Sequence, residues 1–214
     1  MRYISYVVVA VAVAAAVLIA VFMTPKPPTT TPATPPQQTA ATAPAARPAP
    51  TPGPNDENTL LLELKDGFVE IEMLPNLAPN HVARIKELVK QKFYDGLKFH
   101  RVIEGFMVQT GDPLGNGTGG SGKNLAAEFS AEPHVRGIVS MARAQSPNSA
   151  DSQFFIVTKD STFLDRNYTV WGRVTKGMEF VDMIKKGDAA RNGEVSNPDK
   201  IISMRIKADV VSAR

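Results

Sequence analysis

The hydrophobic pattern divides the chain into three parts. After Arg2, about twenty residues (YISYVVVAVAVAAAVLIAVFM) run without a charge, close to the length that crosses a bilayer core. Residues 25–58 then show no apolar period at all. From Thr59 onward the pattern is that of a folded domain. LLLELKDGFVEIEML alternates around Asp66-Gly67 and predicts a hairpin. Val82, Ile85, Leu88 and Val89 follow at helical spacing, with Asn80 as the candidate cap. FHRVIEGFMVQTGD, HVRGIVSMARA, SQFFIVTKD and YTVWGRV are short and strand-like. GMEFVDMIKKG predicts a second helix starting after Gly177, and DKIISMRIKADV a closing strand. Many short strands and two helices argue for a mainly β fold, a barrel with a helix at each end.

The first two parts are not part of that domain. The uncharged run is long for a cleaved signal peptide, and Phe22-Met23-Thr24-Pro25-Lys26 is a poor cleavage exit. The favoured reading of residues 1–24 is an uncleaved signal anchor, with a cleaved signal peptide and soluble export as the alternative. Arg2 and the amino terminus would face the cytoplasm and the domain would lie outside it, in a periplasm or on the cell surface. Residues 25–54 hold 11 of the 17 prolines. Proline blocks helix and ladder formation, so 25–58 is expected to be a disordered, semi-extended spacer between membrane and domain.

Charge and composition then exclude several classes. The chain carries +3, but removing Arg2, Lys26, Arg47, Asp56 and Glu57 leaves 21 basic and 19 acidic residues from Thr59 onward. Both signs are interspersed, which is a solvated surface and not a nucleic-acid footprint. There is no cysteine, so disulfides and thiol chemistry are excluded. His81, His100 and His134 have no metal-ligand spacing and read as structural or surface residues. GTGGSGKN, residues 117–124, fits the glycine and lysine spacing of a phosphate-binding loop. Asn124 stands where the magnesium-binding Ser or Thr belongs, however, and no buried strand precedes the loop. It reads as a glycine loop lining a groove.

One strand pair carries unexpected polarity. A two-residue turn in FHRVIEGFMVQTGD would set Arg101 opposite Val108. A three-residue loop over Glu104, Gly105 and Phe106 would pair Ile103 with Met107 and Arg101 with Gln109. The second register gathers Arg101, Met107 and Gln109 on one face, because strand side chains alternate with period two. A polar pair among apolar strands makes sense if that face receives something polar, so the three-residue loop is predicted. In SQFFIV the same alternation puts Gln153, Phe155 and Val157 on one face, and Ser152, Phe154 and Ile156 on the other, with Phe154 pointing inward. His100 is expected to point away from Arg101, and Trp171 to lie in the core.

FHRVIEGFMVQTGD, GNGTGG, AEF, GIVSMARA, SQFFIV, FLD, YTVWGRV and GMEFVD, in this order and at compatible spacing, resemble the cyclophilins. These are peptidyl-prolyl cis/trans isomerases, and the resemblance covers essentially residues 59–214, with the short loops of the bacterial type. It implies a closed eight-stranded antiparallel β-barrel capped by two helices, with a peptide groove on its outer surface and no cofactor. It assigns the catalytic arginine to Arg101, with Gln109 orienting it or touching the substrate carbonyl. The proline pocket would be Phe106, Met107, Phe155 and Leu164. Gly117 and Gln153 would line the groove, and the backbone of Ala142, Arg143 and Ala144 would pair with the peptide, so that the identity of Arg143 matters little. Phe163 stands where a tryptophan contacts cyclosporin, and Tyr168 where a histidine often lies. Both keep an aromatic wall but put strong cyclosporin binding in doubt. The AQSPNSAD turn has one extra residue.

The chemistry suits an arginine. Amide resonance sets a barrier of about 18–20 kcal/mol to X-Pro rotation. In the twisted state the nitrogen becomes pyramidal and gains a lone pair. A donor aimed at it favours the transition state over the planar ground state. Four decades of acceleration require about 5–6 kcal/mol, of which one preorganised donor supplies about 3–4 kcal/mol. Arg101 is always charged and offers its N–H groups in a fixed fork. The expectation is a monomeric, membrane-anchored isomerase acting on proline-containing, exported polypeptides during folding. The alternative is a non-catalytic proline-peptide chaperone or scaffold of the same fold.

Overall fold

The computed structural model of the chain describes residues 55–211. The apolar segment and nearly all of the Pro-rich stretch lie outside them. Residues Asp56–Asn58 form a 3-10 turn that leads directly into the first strand. Among the described residues no helix is long and apolar enough to cross a membrane.

The first two strands, β1 (Thr59–Leu64) and β2 (Gly67–Met73), form the expected hairpin, but Leu64 pairs with Gly67. Lys65 and Asp66 are therefore the turn, one residue earlier than the Asp-Gly signal suggested. Neither has positive φ, so this is not the mirror-image turn that Asp-Gly favours. Gly67 serves packing instead, because a Cβ there would come within 2.3 Å of the Phe180 ring.

Helix α1 (Pro79–Lys90) buries Val82, Ile85, Leu88 and Val89, the stripe read from spacing. Asn80 is not its cap. Ala78 holds that position, Pro79 occupies the first turn, and no local side chain caps the end. The free amides are satisfied from 48 residues away: Asn80 N–H donates to Glu128 Oε1 (3.1 Å) and His81 N–H to Glu128 Oε2 (3.0 Å). A carboxylate there also complements the helix dipole.

Six further strands complete one antiparallel sheet: β3 (Arg101–Ile103), β4 (Met107–Thr110), β5 (Ile138–Met141), β6 (Phe154–Val157), β7 (Val170–Lys176) and β8 (Ser203–Ile206). Their order is β3-β4-β6-β5-β7-β2-β1-β8. Register shifts at Glu70/Ile71 and Val139/Ser140 bend it into a half-barrel. Among the described residues the expected closure by a strand ladder is absent: β3 and β8 are both edges. Loop backbone spans the seam between them, through Val102 N–H to Gly193 O (2.8 Å) and Phe99 N–H to Asp199 O (2.9 Å). Covering the edges in this way gives their backbone groups partners without an eighth ladder.

Two short helices pack beside the sheet, one against β2 and the other against β1 and β8. Helix α2 (Met178–Asp182) follows left-handed Gly177 as predicted, but is only five residues long. The closing strand ends at Ile206, and Lys207–Val211 form a third helix, α3, in place of further strand. Lys207 turns inward there, its Nζ 3.3 Å from Glu70 Oε2 and 3.9 Å from Asp56 Oδ1, which ties α3 to β2 and to the 3-10 turn before β1.

The sheet separates two apolar clusters. The larger, inner one joins Leu60, Leu62, Ile71, Val139, Phe154, Ile156 and Trp171 to the buried faces of α1 and α2. The smaller, outer one joins Met107, Ile138, Phe155, Val157, Leu164 and Val170. Strand β6 feeds both by simple alternation, as SQFFIV predicted.

Candidate active site

Strands β3 and β4 pair through the three-residue loop: Ile103 faces Met107 and Arg101 faces Gln109. Gly105 provides the positive φ the loop needs (67°). Strand β6 lies beside β4 with Phe155 opposite Gln109. Arg101, Gln109, Met107 and Phe155 thus share one face for reasons of register alone.

That face opens into a groove of about 750 Å³. The outer apolar cluster forms its floor. Met107, Phe155 and Leu164 are nearly fully buried, and Phe106, Ala142 and Tyr168 are partly buried against them. The pocket is a small hydrophobic core left open at one end, ready to take one more apolar group. Phe163 is 71 % exposed and leans on Phe106, ring centroids 5.4 Å apart, so it forms a rim and not a floor. Tyr168 packs edge-on against Phe155 at 5.7 Å.

Polar groups border the open end as a chain. Arg101 Nη1 donates to Gln109 Oε1 (3.1 Å), Gln109 Nε2 to Gln153 Oε1 (2.9 Å), and Gln153 Nε2 to Gly117 O (3.0 Å) and Gly119 O (2.8 Å). The glycine loop therefore ends a relay that begins at the guanidinium. Several of its amides, and those just before it, are already committed to carboxylates of the protein. Asp112 accepts from the N–H groups of Leu114, Asn116 and Gly117, and Asp151 from those of Ser121, Gly122 and Lys123. Burial pushes the Asp112 carboxyl up, but these donors outweigh it and hold the carboxyl below its usual range.

The remaining Arg101 partners are neutral as well: Nε donates to Asn192 O (3.0 Å) and Nη2 to Asn192 Oδ1 (2.9 Å). Burial lowers its pKa, with Tyr168 opposing, but a guanidinium stays charged at any ordinary pH. No carboxylate lies within ion-pair distance of Arg101 among the described residues, and its guanidinium borders the groove.

Every residue expected in the site lies on this groove or on a smaller hollow of about 250 Å³ beside it. Ala144 and Gln153 face only the smaller hollow; Gln109, Gly117, Ala142 and Arg143 face both. The Arg143 side chain carries structural contacts of its own, whatever its part in the chemistry. Its guanidinium lies 4.8 Å from the Tyr168 ring centre and donates to Asn167 O, Ala144 O and Gln145 O, bracing the groove wall. Ala142 N–H is already bonded to Gln153 O (2.9 Å), which removes one donor from the edge expected to pair with a peptide.

Sequence reading missed several neighbours. His100 does not point clear of the groove. It is 7 % exposed and reaches the groove beside Gly117, because strand alternation begins only at Arg101. Arg191, Asn192, Glu194 and Val195 line the far side. The Asn-Gly pair in ARNGEV was the available signal, marking a left-handed turn but not its location. Behind Phe155, His134 stands 3.1 Å from Ser140 Oγ and 3.0 Å from Asp165 Oδ1, the spacings of a hydrolase triad. Ser140 is fully buried and donates its hydroxyl to Thr169 O (2.9 Å), so it cannot attack a substrate. The imidazole instead stacks on Phe155 at 6.3 Å and backs the pocket wall.

Comparison with known proteins agrees with this geometry. Residues 59–206 match the family model for cyclophilin type peptidyl-prolyl cis-trans isomerases. A probable peptidyl-prolyl cis-trans isomerase of Brucella suis is 58% identical over 165 residues, covering 72% of this chain and 84% of that protein. Peptidyl-prolyl cis-trans isomerase B of Bacillus subtilis is 43% identical over 135 residues, covering 62% of this chain and 94% of that one. Among solved structures, a cyclophilin from Hirschia baltica matches with a TM-score of 0.64 at 30% identity, over 72% of this chain and 75% of that chain. A Cryptosporidium parvum cyclophilin, solved in the presence of the dipeptide Ala-Pro, matches with a TM-score of 0.64 at 27% identity, over 69% and 98%.

Proposed function

The chain belongs to the cyclophilin type peptidyl-prolyl cis-trans isomerases, and from that premise we propose that Arg101 drives the reaction by donating a hydrogen bond to the prolyl nitrogen of a twisted X-Pro amide. The observation that carries this reading is the placement of a guanidinium held by neutral acceptors at the open end of an apolar pocket. A proline ring entering among Phe106, Met107, Phe155 and Leu164 completes the outer cluster, and its ring nitrogen then lies at the polar border. As the amide twists, the nitrogen gains a lone pair that Arg101 can meet. The planar ground state offers none, so the interaction lowers the barrier without deepening the ground state. Gln109 holds the guanidinium from one side. The groove is complete within one chain, so a monomer suffices.

The domain serves proline-containing polypeptides outside the cytoplasm, held there by the apolar segment at residues 1–24. That part of the reading rests on about twenty consecutive uncharged residues after Arg2, followed by a proline-rich stretch that cannot bury a core. Membrane fractionation together with N-terminal sequencing of the mature protein tests it, and a soluble product beginning after residue 24 would refute anchorage.

For the chemistry, wild type should speed cis/trans exchange in an X-Pro peptide measured by exchange NMR. Arg101→Ala should retain about one part in 10² to 10³ of kcat/KM, the loss typical of a single preorganised donor. Unchanged exchange in Arg101→Ala would refute the donor role.

A further inference from the structure

Three of the five N–H groups of Arg101 are held by the protein, and two of these three bonds go to one residue, Asn192. We propose that Asn192 is a positioning residue for the reaction, setting the plane and reach of the Arg101 guanidinium. The inference rests on Arg101 being the donor to the prolyl nitrogen.

The geometry is that of a fork gripped along one edge. Nε meets the Asn192 main-chain carbonyl at 3.0 Å and Nη2 its side-chain carbonyl at 2.9 Å. Two acceptors from one residue fix a planar guanidinium much as a bidentate carboxylate does. Because both acceptors are neutral, the positive charge is left free to act on substrate. Gln109 holds Nη1 from the other side, and one N–H is left on each terminal nitrogen.

Asn192 can do this because its loop is itself fixed. Its backbone is left-handed (φ 53°, ψ 34°), a conformation asparagine tolerates better than most residues. Gly193 follows with φ 81°, and a Cβ there would meet Ile103 Cγ1 at 2.5 Å and Val102 O at 2.9 Å, so the loop lies directly on β3. Val102 N–H bonds Gly193 O (2.8 Å) and Gly187 N–H bonds Val102 O (3.0 Å). Asp188 closes the turn by accepting from Ala190 N–H (2.9 Å) and Arg191 Nε (3.0 Å). The half-barrel's open seam thus has a consequence for the site. A continuous strand beside β3 would hold its side chains in extended register, whereas this loop curls a left-handed residue around the end of Arg101.

The test uses the full chain with four variants and an X-Pro peptide exchange assay. Asn192→Gly keeps the left-handed backbone and its carbonyl but removes Oδ1. It should lower kcat about tenfold while leaving KM within about twofold, since a misplaced donor weakens the transition state and not the ground state. Asn192→Asp restores an acceptor oxygen but adds a charge that compensates the guanidinium, so it should recover only part of that loss. In an Arg101→Ala background, Asn192→Gly should change nothing further, because the two residues act as one unit. Wild-type kcat in Asn192→Gly, or the same tenfold loss with Arg101 already removed, would overturn the inference. Full activity in Arg101→Ala alone would sink the donor reading instead and the Asn192 inference with it, a pattern distinct from the other two.

Discussion

Phe154 and Phe155 are adjacent in β6 and both nearly fully buried, yet they belong to different parts of the molecule. Phe154 enters the inner cluster, packing edge-on against Tyr94 and Trp171 at 5.6 and 5.4 Å. Phe155 enters the outer cluster, between His134 and Tyr168, below an opening bordered by amides and a guanidinium. The inner cluster is closed on every side by the sheet and the helices. The outer one is backed by the same sheet but is left open to the groove at one end, beside Phe106, Ala142 and Tyr168. On the proposed reading, the proline ring completes it there. In this fold a binding pocket and a hydrophobic core are built by the same alternation of side chains, and differ in whether the last apolar contact comes from the chain itself.

The comparison can be broken most sharply by alanine at each position. Phe154→Ala should cost about 3–5 kcal/mol of stability in urea unfolding, the range for a large aromatic removed from a closed core. Its kcat/KM per folded molecule should stay near wild type. Phe155→Ala should cost less stability, since the vacated space opens to solvent, but should lower kcat/KM for X-Pro exchange about tenfold through lost contact with the proline ring. Equal catalytic losses in the two folded variants would mean that the faces are not separable.

Acid should probe the same division more gently. Burial depresses the pKa of His100 and of His134 below the ordinary 6.5, with Asp112 and Asp165 opposing. Both imidazoles are favoured in the neutral form when folded, and the unfolded chain takes up their protons first. The stability they contribute is therefore complete above about pH 6.5 and is lost as pH falls from there through the lowered folded values. Melting temperature should drop between pH 7 and 5, and a flat profile would count against neutral, buried imidazoles.

The smallest expected effect lies far from the groove. Glu128 caps α1 from another loop. Burial raises its carboxyl pKa, but the His81 and Asn80 donors outweigh this and lower it. Glu128→Ala should cost about 1 kcal/mol, as other lost N-terminal caps do. It should leave kcat/KM unchanged, and a catalytic defect would show that α1 communicates with the site. The Glu128 contribution should persist above pH 4.5 and be lost as pH falls through its lowered folded pKa.

Much of the site is legible in the order of residues alone. The three positions between Ile103 and Met107 set Arg101 opposite Gln109, and alternation in SQFFIV divides Phe154 from Phe155. Other features are not legible there, and each is a long-range meeting. Nothing near Asn80 announces that Glu128 will cap its helix. Nothing near Arg143 shows that it will lie over Tyr168. The Asp66-Gly67 pair signals a turn but misplaces it by one residue, because Gly67 answers to a Phe180 ring over a hundred positions away.

The sequence by itself determined where most strands run, the faces on which the side chains of β3, β4 and β6 lie, and the polar pair that marks the groove. These follow from the period-two geometry of an extended backbone, which is a local property. Only the tertiary structure decided how the sheet's edges are covered, which loop holds the arginine, and where the pocket is left open. Those outcomes depend on which distant segments fill the remaining space around β3 and β6. Periodicity within one segment carries no information about that competition.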